Sequence, residues 1–183
     1  MPKHISPAKV TAVIDPRKDV DGFRKDSKFV PCTPGGIIKY LEYCDFKFLG
    51  SHCVVIGRSE IVGKPMAQLL LDKNATVTVC HSKSQNIDRW VRNADLVVCA
   101  VGKARFLNCY SLHMPIIDVG INFDENGRLV GDCYNTVNRD VTPVPGGVGL
   151  LTRCMLLENV LEAADGQCRF ECPIFFDCVK GDK

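Results

Sequence analysis

The sequence predicts an α/β domain in which helices cover both faces of a mostly parallel sheet. Three observations lead to this class. Short apolar runs rich in β-branched residues recur along the chain, most of them end at a glycine or a polar turn, and a helical pattern separates the first two. Such runs suit strands that are buried on both faces of a parallel sheet. The predicted strands cover residues 53–56, 75–80, 95–101 and 115–119.

The first predicted strand, residues 53–56, leads into a turn between Gly57 and Gly63. Glycines there let backbone amides approach a pyrophosphate at a helix N-terminus, where unpaired N–H groups and the helix dipole favour anions. Ser59 holds the place of the second glycine in the Gly-x-Gly-x-x-Gly pattern, and Gly63 comes one residue late. On this loop alone, a nucleotide site and an ordinary strand-to-helix turn are equally supported.

The segment after the turn favours the nucleotide site. Residues 64–72 are predicted as a helix, because Pro65 suits a first turn and the apolar residues can face a sheet. The second strand ends at residues 81–84, His-Ser-Lys-Ser, where NAD-binding domains commonly carry an acidic residue for the ribose hydroxyls. Here that place offers hydroxyls and Lys83, and Arg58 lies in the glycine turn. These groups would attract a 2′-phosphate, so the sequence predicts NADP rather than NAD.

The last two strands and a glycine-rich loop extend the predicted cleft. In doubly wound sheets the carboxyl ends of the strands carry the ligand. Candidates to lie along the cofactor there are Gly102, Gly120, Ile121 and Asn122. Residues 142–149, Thr-Pro-Val-Pro-Gly-Gly-Val-Gly, form a loop whose few side chains let a ligand approach the backbone. The whole pattern predicts a Rossmann-like, doubly wound domain in three α/β/α layers.

Two further helices are predicted, over residues 33–44 and 150–164, and we expect both to expose apolar surface toward another domain. The predicted core is formed by Val54, Val55, Ile56, Leu70, Val77, Val79, Leu96, Val97, Val98, Ile116, Ile117 and Val119.

Six motifs occur along the chain in a fixed order. They cover residues 16–23 (Pro-Arg-Lys-Asp-Val-Asp-Gly-Phe), 31–34 (Pro-Cys-Thr-Pro), 57–65, 81–84, 118–122 (Asp-Val-Gly-Ile-Asn) and 142–149. In this order they resemble the methylenetetrahydrofolate dehydrogenase/methenyltetrahydrofolate cyclohydrolase family, and the match spans roughly residues 2–164. The resemblance implies NADP-dependent oxidation of methylene-tetrahydrofolate to the methenyl form, followed by hydrolysis to formyl-tetrahydrofolate. It also implies a homodimer formed through the nucleotide-binding domain.

The resemblance assigns roles to particular residues. Those expected to contact NADP are Gly57, Arg58, Ser59, Ser82 and Ile121. Asp21 is expected to anchor the pterin of the folate. The residues expected to border the folate site are Pro145, Gly146, Gly147, Val148 and Gly149.

Similar proteins begin with a folate-binding domain whose Tyr-x-x-x-Lys motif supplies the Lys of the cyclohydrolase step. No residue of this sequence matches that Lys, so we expect no catalytic residue here and no cyclohydrolase step. Tyr43 and Lys47 share the spacing, but they lie where a helix passes into a connector, and an accidental pair is expected. Residues 1–45 are interpreted as a remnant of the folate-binding and interdomain region, and residues 46–164 as the NADP-binding domain. The alternative function is a non-catalytic NADP-binding or oligomerising module.

Length and charge agree with one small domain. The chain has 183 residues, 46% of them hydrophobic, and a net charge of +2 with mixed signs. Without a basic stripe, neither nucleic acid nor a membrane surface is an expected partner. No apolar run of about 18 residues and no signal pattern is found, so a cytoplasmic location is expected.

The eleven cysteines are unusual for such a domain. Cys53, Cys80 and Cys99 fall in predicted strands, where a thiol packs as a small hydrophobe. Cys32 is expected to be exposed and reactive. Residues 165–183 form a Cys-rich tail, in which Cys168, Cys172 and Cys178 have a poor zinc spacing, so no metal site is expected.

Overall fold

The computed structural model of the protein describes residues 6–109, 112–136 and 140–165. The Cys-rich tail therefore lies outside the described residues. Along the described chain the elements are α1 (Pro7–Ala12), α2 (Cys32–Tyr43), β1 (His52–Ile56), α3 (Gly63–Asp72), β2 (Thr76–Cys80), α4 (Ile87–Arg92), β3 (Leu96–Cys99), β4 (Leu107–Asn108), β5 (Ile116–Asp118), β6 (Asn122–Phe123), β7 (Leu129–Val130), β8 (Cys133–Tyr134) and α5 (Val148–Asp165).

The central sheet has four parallel strands in the order β2-β1-β3-β5. His52 of β1 pairs with Thr76 of β2, and Cys53 of β1 pairs with Leu96 of β3. The chain thus leaves β1 on one side for β2 and returns on the other side with β3. This reversal creates a crevice between the carboxyl ends of β1 and β3, which is the usual ligand position in such sheets.

Alternate residues of the strands supply two cores, one on each face of the sheet. One core packs Cys53, Val55, Leu96, Val98 and Ile117 against α2 and α3. The other packs Val54, Ile56, Val97, Cys99 and Ile116 against α4 and against Leu107, Cys109 and Leu112. Helices and a loop segment therefore enclose the sheet, and the predicted three-layer α/β/α class is confirmed.

The predicted core is correct in the middle of the sheet and wrong at its edges. Nine of the twelve predicted residues are buried, but Val79 is 39% exposed, and Val77 and Val119 are only half-buried. The three exceptions lie on β2 or directly after β5, the two edge strands of the order above. An edge strand has a neighbour on one side only, so less of its surface is covered.

Helices α2 and α5 pack closely against each other. A Cβ atom on Gly36 would lie 2.7 Å from the Leu151 carbonyl oxygen, so the close approach of the two backbones requires a glycine here. The hydroxyls of Thr33 and Thr152 share a hydrogen bond of 2.9 Å between the two helices. Our expectation that α2 exposes apolar surface is therefore wrong, since its apolar face lies against α5 and the sheet.

The exposed face of α5 agrees with the sequence prediction. Leu157 is 64% exposed, and Val160 and Leu161 lie exposed beside it. On the opposite face, the Asn159 amide donates hydrogen bonds to the carbonyls of Val20 and Val30, at 2.7 and 3.0 Å. These bonds fix the segment before α2 onto α5.

Two kinds of feature are absent from the described residues. None of their helices combines the length and the apolar character needed to cross a bilayer. Within the same residues, His, Cys, Asp and Glu side chains form no group of three or more that could hold a metal ion.

Candidate functional site

The turn after β1 brings the start of α3 against the end of the strand. Gly57 has a φ of +127°, and a Cβ atom there would lie 2.2 Å from the Ala100 carbonyl oxygen. A Cβ atom on Gly63 would lie 2.4 Å from the Gly57 carbonyl oxygen. Both positions thus require glycine. The spacing differs from Gly-x-Gly-x-x-Gly, but the close approach of helix and strand that the motif provides is present.

Ser59 occupies the centre of this turn. Its hydroxyl accepts hydrogen bonds from the N–H groups of Val62 and Gly63, both at 3.2 Å. These are among the N–H groups that a helix leaves unpaired at its start. Ser59 therefore caps the start of α3 as an acceptor, and its own hydroxyl proton stays available to a further acceptor.

The turn after β2 lies beside the glycine turn. The Gly57 N–H donates a hydrogen bond of 2.8 Å to the Cys80 carbonyl. In the following turn, His81 Nδ1 accepts the Lys83 N–H at 3.2 Å, and the Ser84 hydroxyl accepts the His81 N–H at 2.9 Å. These bonds fix the turn and leave the side chains of Ser82 and Lys83 in solvent.

The charges at these two turns favour an anion. Arg58, Ser82 and Lys83 are all exposed at the same edge of the sheet. Glu60, a carboxylate in the glycine turn, forms an ion pair with Lys64. This hydrogen bond holds the pKa of Glu60 below its usual range. The predicted cofactor residues Gly57, Arg58, Ser59 and Ser82 thus share one edge, where a phosphorylated ribose would meet positive groups.

Two buried carboxylates organise the loops after β3 and β5, and the sequence analysis missed both. Asp118, at the end of β5, accepts N–H groups from Gly120, Asp132 and Cys133, at 2.9, 3.0 and 2.9 Å. Asp132 accepts backbone N–H groups of residues 101–103 and the amide of Asn122. The signal that could have revealed them is an Asp within an apolar strand and an Asp directly after a glycine.

These contacts fix the side chain of one candidate residue and leave that of another exposed. The Asn122 amide is bonded to Asp132, so this side chain does not point freely along the cleft. Ile121, in contrast, is 68% exposed between buried Gly120 and half-buried Asn122. Its side chain is available to a ligand at the carboxyl end of β5.

A groove of about 320 Å³ lies between the loop after β5 and the loop before α5. It is lined by Thr33, Asp118, Val119, Gly120, Ile121, Leu129, Pro143, Val144, Pro145, Gly146, Gly147, Val148, Gly149, Leu150, Thr152 and Arg153. The structure therefore brings Ile121 together with all five residues expected to border the folate. Val148 is largely buried, because α5 begins at this residue, two positions earlier than predicted.

Asp21 and Cys32 lie together, and neither of them lines the groove, although Thr33 next to Cys32 does. The Cys32 N–H donates to the Asp21 carbonyl at 3.3 Å, and the Cys32 thiol is buried. Burial, followed by the nearby Asp21 carboxylate, raises the pKa of this thiol to about 11. The expectation that Cys32 is exposed and reactive is wrong. Cys53, Cys80 and Cys99 are buried as predicted.

The Tyr43 and Lys47 pair has no shared helical face. Helix α2 ends at Tyr43, and Lys47 lies beyond it in the connector to β1, as predicted.

The strand order, the glycine turn and the groove at the strand ends define a Rossmann-like dinucleotide-binding domain. A family model described as "Tetrahydrofolate dehydrogenase/cyclohydrolase, NAD(P)-binding domain" matches residues 31–168. This chain belongs to that family.

Relatives of known sequence agree with this assignment. The bifunctional protein FolD of Acetivibrio thermocellus is 47% identical over 186 residues, which cover 93% of this chain and 65% of that protein. The bifunctional protein FolD of Clostridium novyi is 47% identical over 177 residues, covering 88% of this chain and 63% of that protein. The chain thus spans just under two thirds of the length of these relatives.

Solved structures show the same relationship. The bifunctional FolD enzyme of Campylobacter jejuni, a methylenetetrahydrofolate dehydrogenase/cyclohydrolase, has a TM-score of 0.85 and 38% identity. The Trypanosoma brucei enzyme, complexed with NADP cofactor and inhibitor, has a TM-score of 0.82 and 34% identity. Each match covers 92% of this chain and 65% of the other.

Proposed function

We propose that this domain binds NADP and takes part in oxidising methylene-tetrahydrofolate to methenyl-tetrahydrofolate. One observation carries the proposal. The edge of the sheet that presents Arg58, Ser82 and Lys83 to solvent is the edge at which the groove beside Ile121 opens. A dinucleotide that crosses the sheet at its switch point spans such an edge.

NADP is favoured over NAD by the charges at one end of this edge. The residues after β2 are Ser82 and Lys83, where an acidic residue would repel a 2′-phosphate, and Arg58 is exposed in the neighbouring turn. The Trypanosoma brucei relative is complexed with NADP, and its likeness to this chain supports the same cofactor here. Gly57 and Gly63 fit the group as well, since they let the turn and the start of α3 pack closely against the strand ends, where the first N–H groups of the helix can face an anion.

In the oxidation, the main role of this chain would be to position the cofactor and the folate. When bound, NADP supplies the hydride acceptor, and the protein brings donor and acceptor into contact. Ile121 and the loop of residues 145–149 line a groove of suitable size for the meeting of two rings. We propose that they border the folate, and that Asp21 anchors the pterin from the segment held on α5.

The second step of the family is proposed to be absent from these 183 residues. None of them matches the Lys of the Tyr-x-x-x-Lys motif, and a positioned proton-transfer group typically contributes about 10²–10⁴-fold. Loss of methenyl-tetrahydrofolate absorbance, followed with the purified chain, tests this. A rate well above the buffer blank would contradict the proposal and direct attention to Lys47.

The dehydrogenase proposal is tested by NADPH formation from NADP⁺ and methylene-tetrahydrofolate, with and without the separately expressed N-terminal domain of a FolD relative. We expect a slow rate with the chain alone at high folate, and a faster rate with the added domain. Asp21→Ala should reduce the rate further, whereas Asp26→Ala, a surface control that pairs with Arg24, should not. No NADPH in either mixture would show that the chain does not oxidise folate.

A second candidate function is a non-catalytic NADP-binding or oligomerising module. The exposed apolar residues of α5, with Leu157 64% exposed, favour it, because such a surface is typical of a site where another chain or domain packs. A homodimer is the form of this proposal that the family resemblance supports. NADP⁺ binding without NADPH formation, together with a dimer in light scattering, is its expected signature.

A further inference from the structure

Asp132 combines complete burial with an unusually full set of hydrogen bonds. The residue is fully buried within the part of the chain that the structure describes. Its Oδ2 accepts the N–H groups of Val101 and Gly102 at 2.6 and 3.0 Å. Its Oδ1 accepts the N–H of Lys103 at 2.8 Å and the amide of Asn122 at 2.9 Å.

Such a carboxylate needs these donors. Removing an ionised group from water is costly unless charge-assisted hydrogen bonds replace the lost hydration. Three successive backbone N–H groups that converge on one anion form a concave anion site, which in other proteins often holds a phosphate. Here the protein fills that site with its own side chain. The loop after β3 therefore takes its shape from Asp132.

Asp132 is itself held from the end of β5. Its backbone N–H donates to Asp118 Oδ1 at 3.0 Å. A Cβ atom on Gly131 would lie 2.0 Å from Asp118 Oδ2, and a Cβ atom on Gly120 would lie 2.3 Å from Asp132 Oδ1. The two glycines thus let each carboxylate lie directly on the backbone. As a result, the loops after β3 and β5 are joined through two buried charges.

We propose that Asp132 is a positioning residue for the nicotinamide half of the cofactor. The inference rests on the proposed NADP function. The ends of β1 and β2, with Arg58 and Ser82, would hold the half that carries the 2′-phosphate, and a dinucleotide that crosses the switch point brings its other half to β3 and β5. Asp132 does not touch this ligand, because it is buried. It fixes the loop of residues 101–103 that would.

The test compares two ligands on two variants. The ligands are NADP⁺ and adenosine 2′,5′-bisphosphate, which carries the 2′-phosphate but has no nicotinamide. The variants are Asp132→Asn and Asp124→Asn. The control is matched, because Asp124 Oδ1 also accepts two backbone N–H groups, of Asn126 and Arg128 at 2.9 and 2.8 Å, but does so in the hairpin between β6 and β7.

We expect Asp132→Asn to weaken NADP⁺ binding by about 10- to 100-fold, because the Asn amide N–H₂ cannot accept the N–H groups of residues 101–103 and the loop loses the shape in which it would meet the cofactor. The bisphosphate should change by less than about twofold, because its half lies across the switch point. Amide hydrogen exchange at residues 101–103 should be faster in this variant without any ligand. Asp124→Asn should match the wild type in all three measurements.

Three outcomes would overturn the inference. They are an unchanged NADP⁺ affinity in a folded Asp132→Asn variant, an equal loss for both ligands, and unchanged exchange at residues 101–103. Failure of the wild-type chain to bind NADP⁺ would instead contradict the proposed function, and the inference with it. If Asp132→Asn does not fold, Asn122→Ala removes one donor only and should weaken NADP⁺ about threefold, and faster exchange at residues 101–103 without ligand separates this effect from a lost direct contact of Asn122. Equal affinity in Asn122→Ala would then overturn the inference.

Discussion

Replacing Gly63 by alanine tests the construction of the glycine turn. The new Cβ atom would lie 2.4 Å from the Gly57 carbonyl oxygen, 2.6 Å from the Gly57 carbonyl carbon and 2.8 Å from Arg58 Cα. All three are backbone atoms, so no side chain can rotate away. Ordinary contact begins at 3.4 Å, and the start of α3 must therefore move by about 1 Å from the turn.

The expected cost follows from this displacement. Overpacking typically costs about 1–3 kcal/mol, while the higher helix propensity of alanine returns at most about 1 kcal/mol. We expect Gly63→Ala to lower the free energy of unfolding by about 1–2 kcal/mol. If this turn binds the pyrophosphate as proposed, NADP⁺ should bind at least about tenfold more weakly, because the displacement would break a charge-assisted hydrogen bond.

Urea unfolding and calorimetric titration with NADP⁺ measure the two effects. Gly149→Ala is the matched control, because a Cβ atom on Gly149 meets nothing within 4 Å, and the residue lies in α5. Its stability should be unchanged or slightly raised. If Gly63→Ala is as stable as the wild type and binds NADP⁺ equally well, the explanation of the glycine turn is wrong.

Three further predictions concern other parts of the fold. Cys32 should resist iodoacetamide at pH 8, because a pKa raised to about 11 keeps its thiol protonated, whereas the exposed Cys44 should react. Peptide mapping after labelling measures both cysteines, and equal labelling of the two would contradict the burial of Cys32. Labelling of Cys32 should increase as the pH approaches 11. Gly36→Ala should destabilise the protein by about 1–3 kcal/mol in urea unfolding, because its Cβ would lie 2.7 Å from the Leu151 carbonyl, and an unchanged midpoint would refute the close helix packing. Leu157 is exposed on α5, so Leu157→Lys should not lower the melting temperature. It should, however, abolish the increase in NADPH formation that the added N-terminal domain produces. If the added domain increases the rate of the variant as much as that of the wild type, α5 is not the docking face.

The centre of the fold could be predicted from the sequence because its signals are local. Each buried strand is a continuous apolar run, and the turn after β1 carries the glycines that its geometry requires. The edges could not be predicted in this way. Val79 is a valine in an apolar run, as are the buried Val55 and Val98 of the central strands. Only the strand order shows that β2 has a partner strand on one side alone.

The sequence identified candidate site residues that present exposed side chains, but it did not reveal the buried carboxylates that hold backbone loops in place. Arg58, Ser82 and Ile121 are recognisable from their places after strands, and the structure leaves all three exposed. Most partners of Asp118 and Asp132 are backbone N–H groups up to 31 residues away, and a backbone group gives no signal in the residue types of a sequence. Cys32 shows the same limit, since its burial depends on α5, far along the chain.

The most direct test of the account is a calorimetric titration of NADP⁺ and NAD⁺ with the wild-type chain and Arg58→Ala. A charge-assisted contact with phosphate contributes about 1.5–3 kcal/mol, so the variant should bind NADP⁺ about 10- to 100-fold more weakly. NAD⁺ binding should be weaker than NADP⁺ binding in the wild type and nearly unaffected by the substitution. Arg89→Ala, which removes an arginine from α4 beside Trp90, is the control and should change neither cofactor. Equal affinity of the wild type for the two cofactors, or equal losses in Arg58→Ala, would contradict the account.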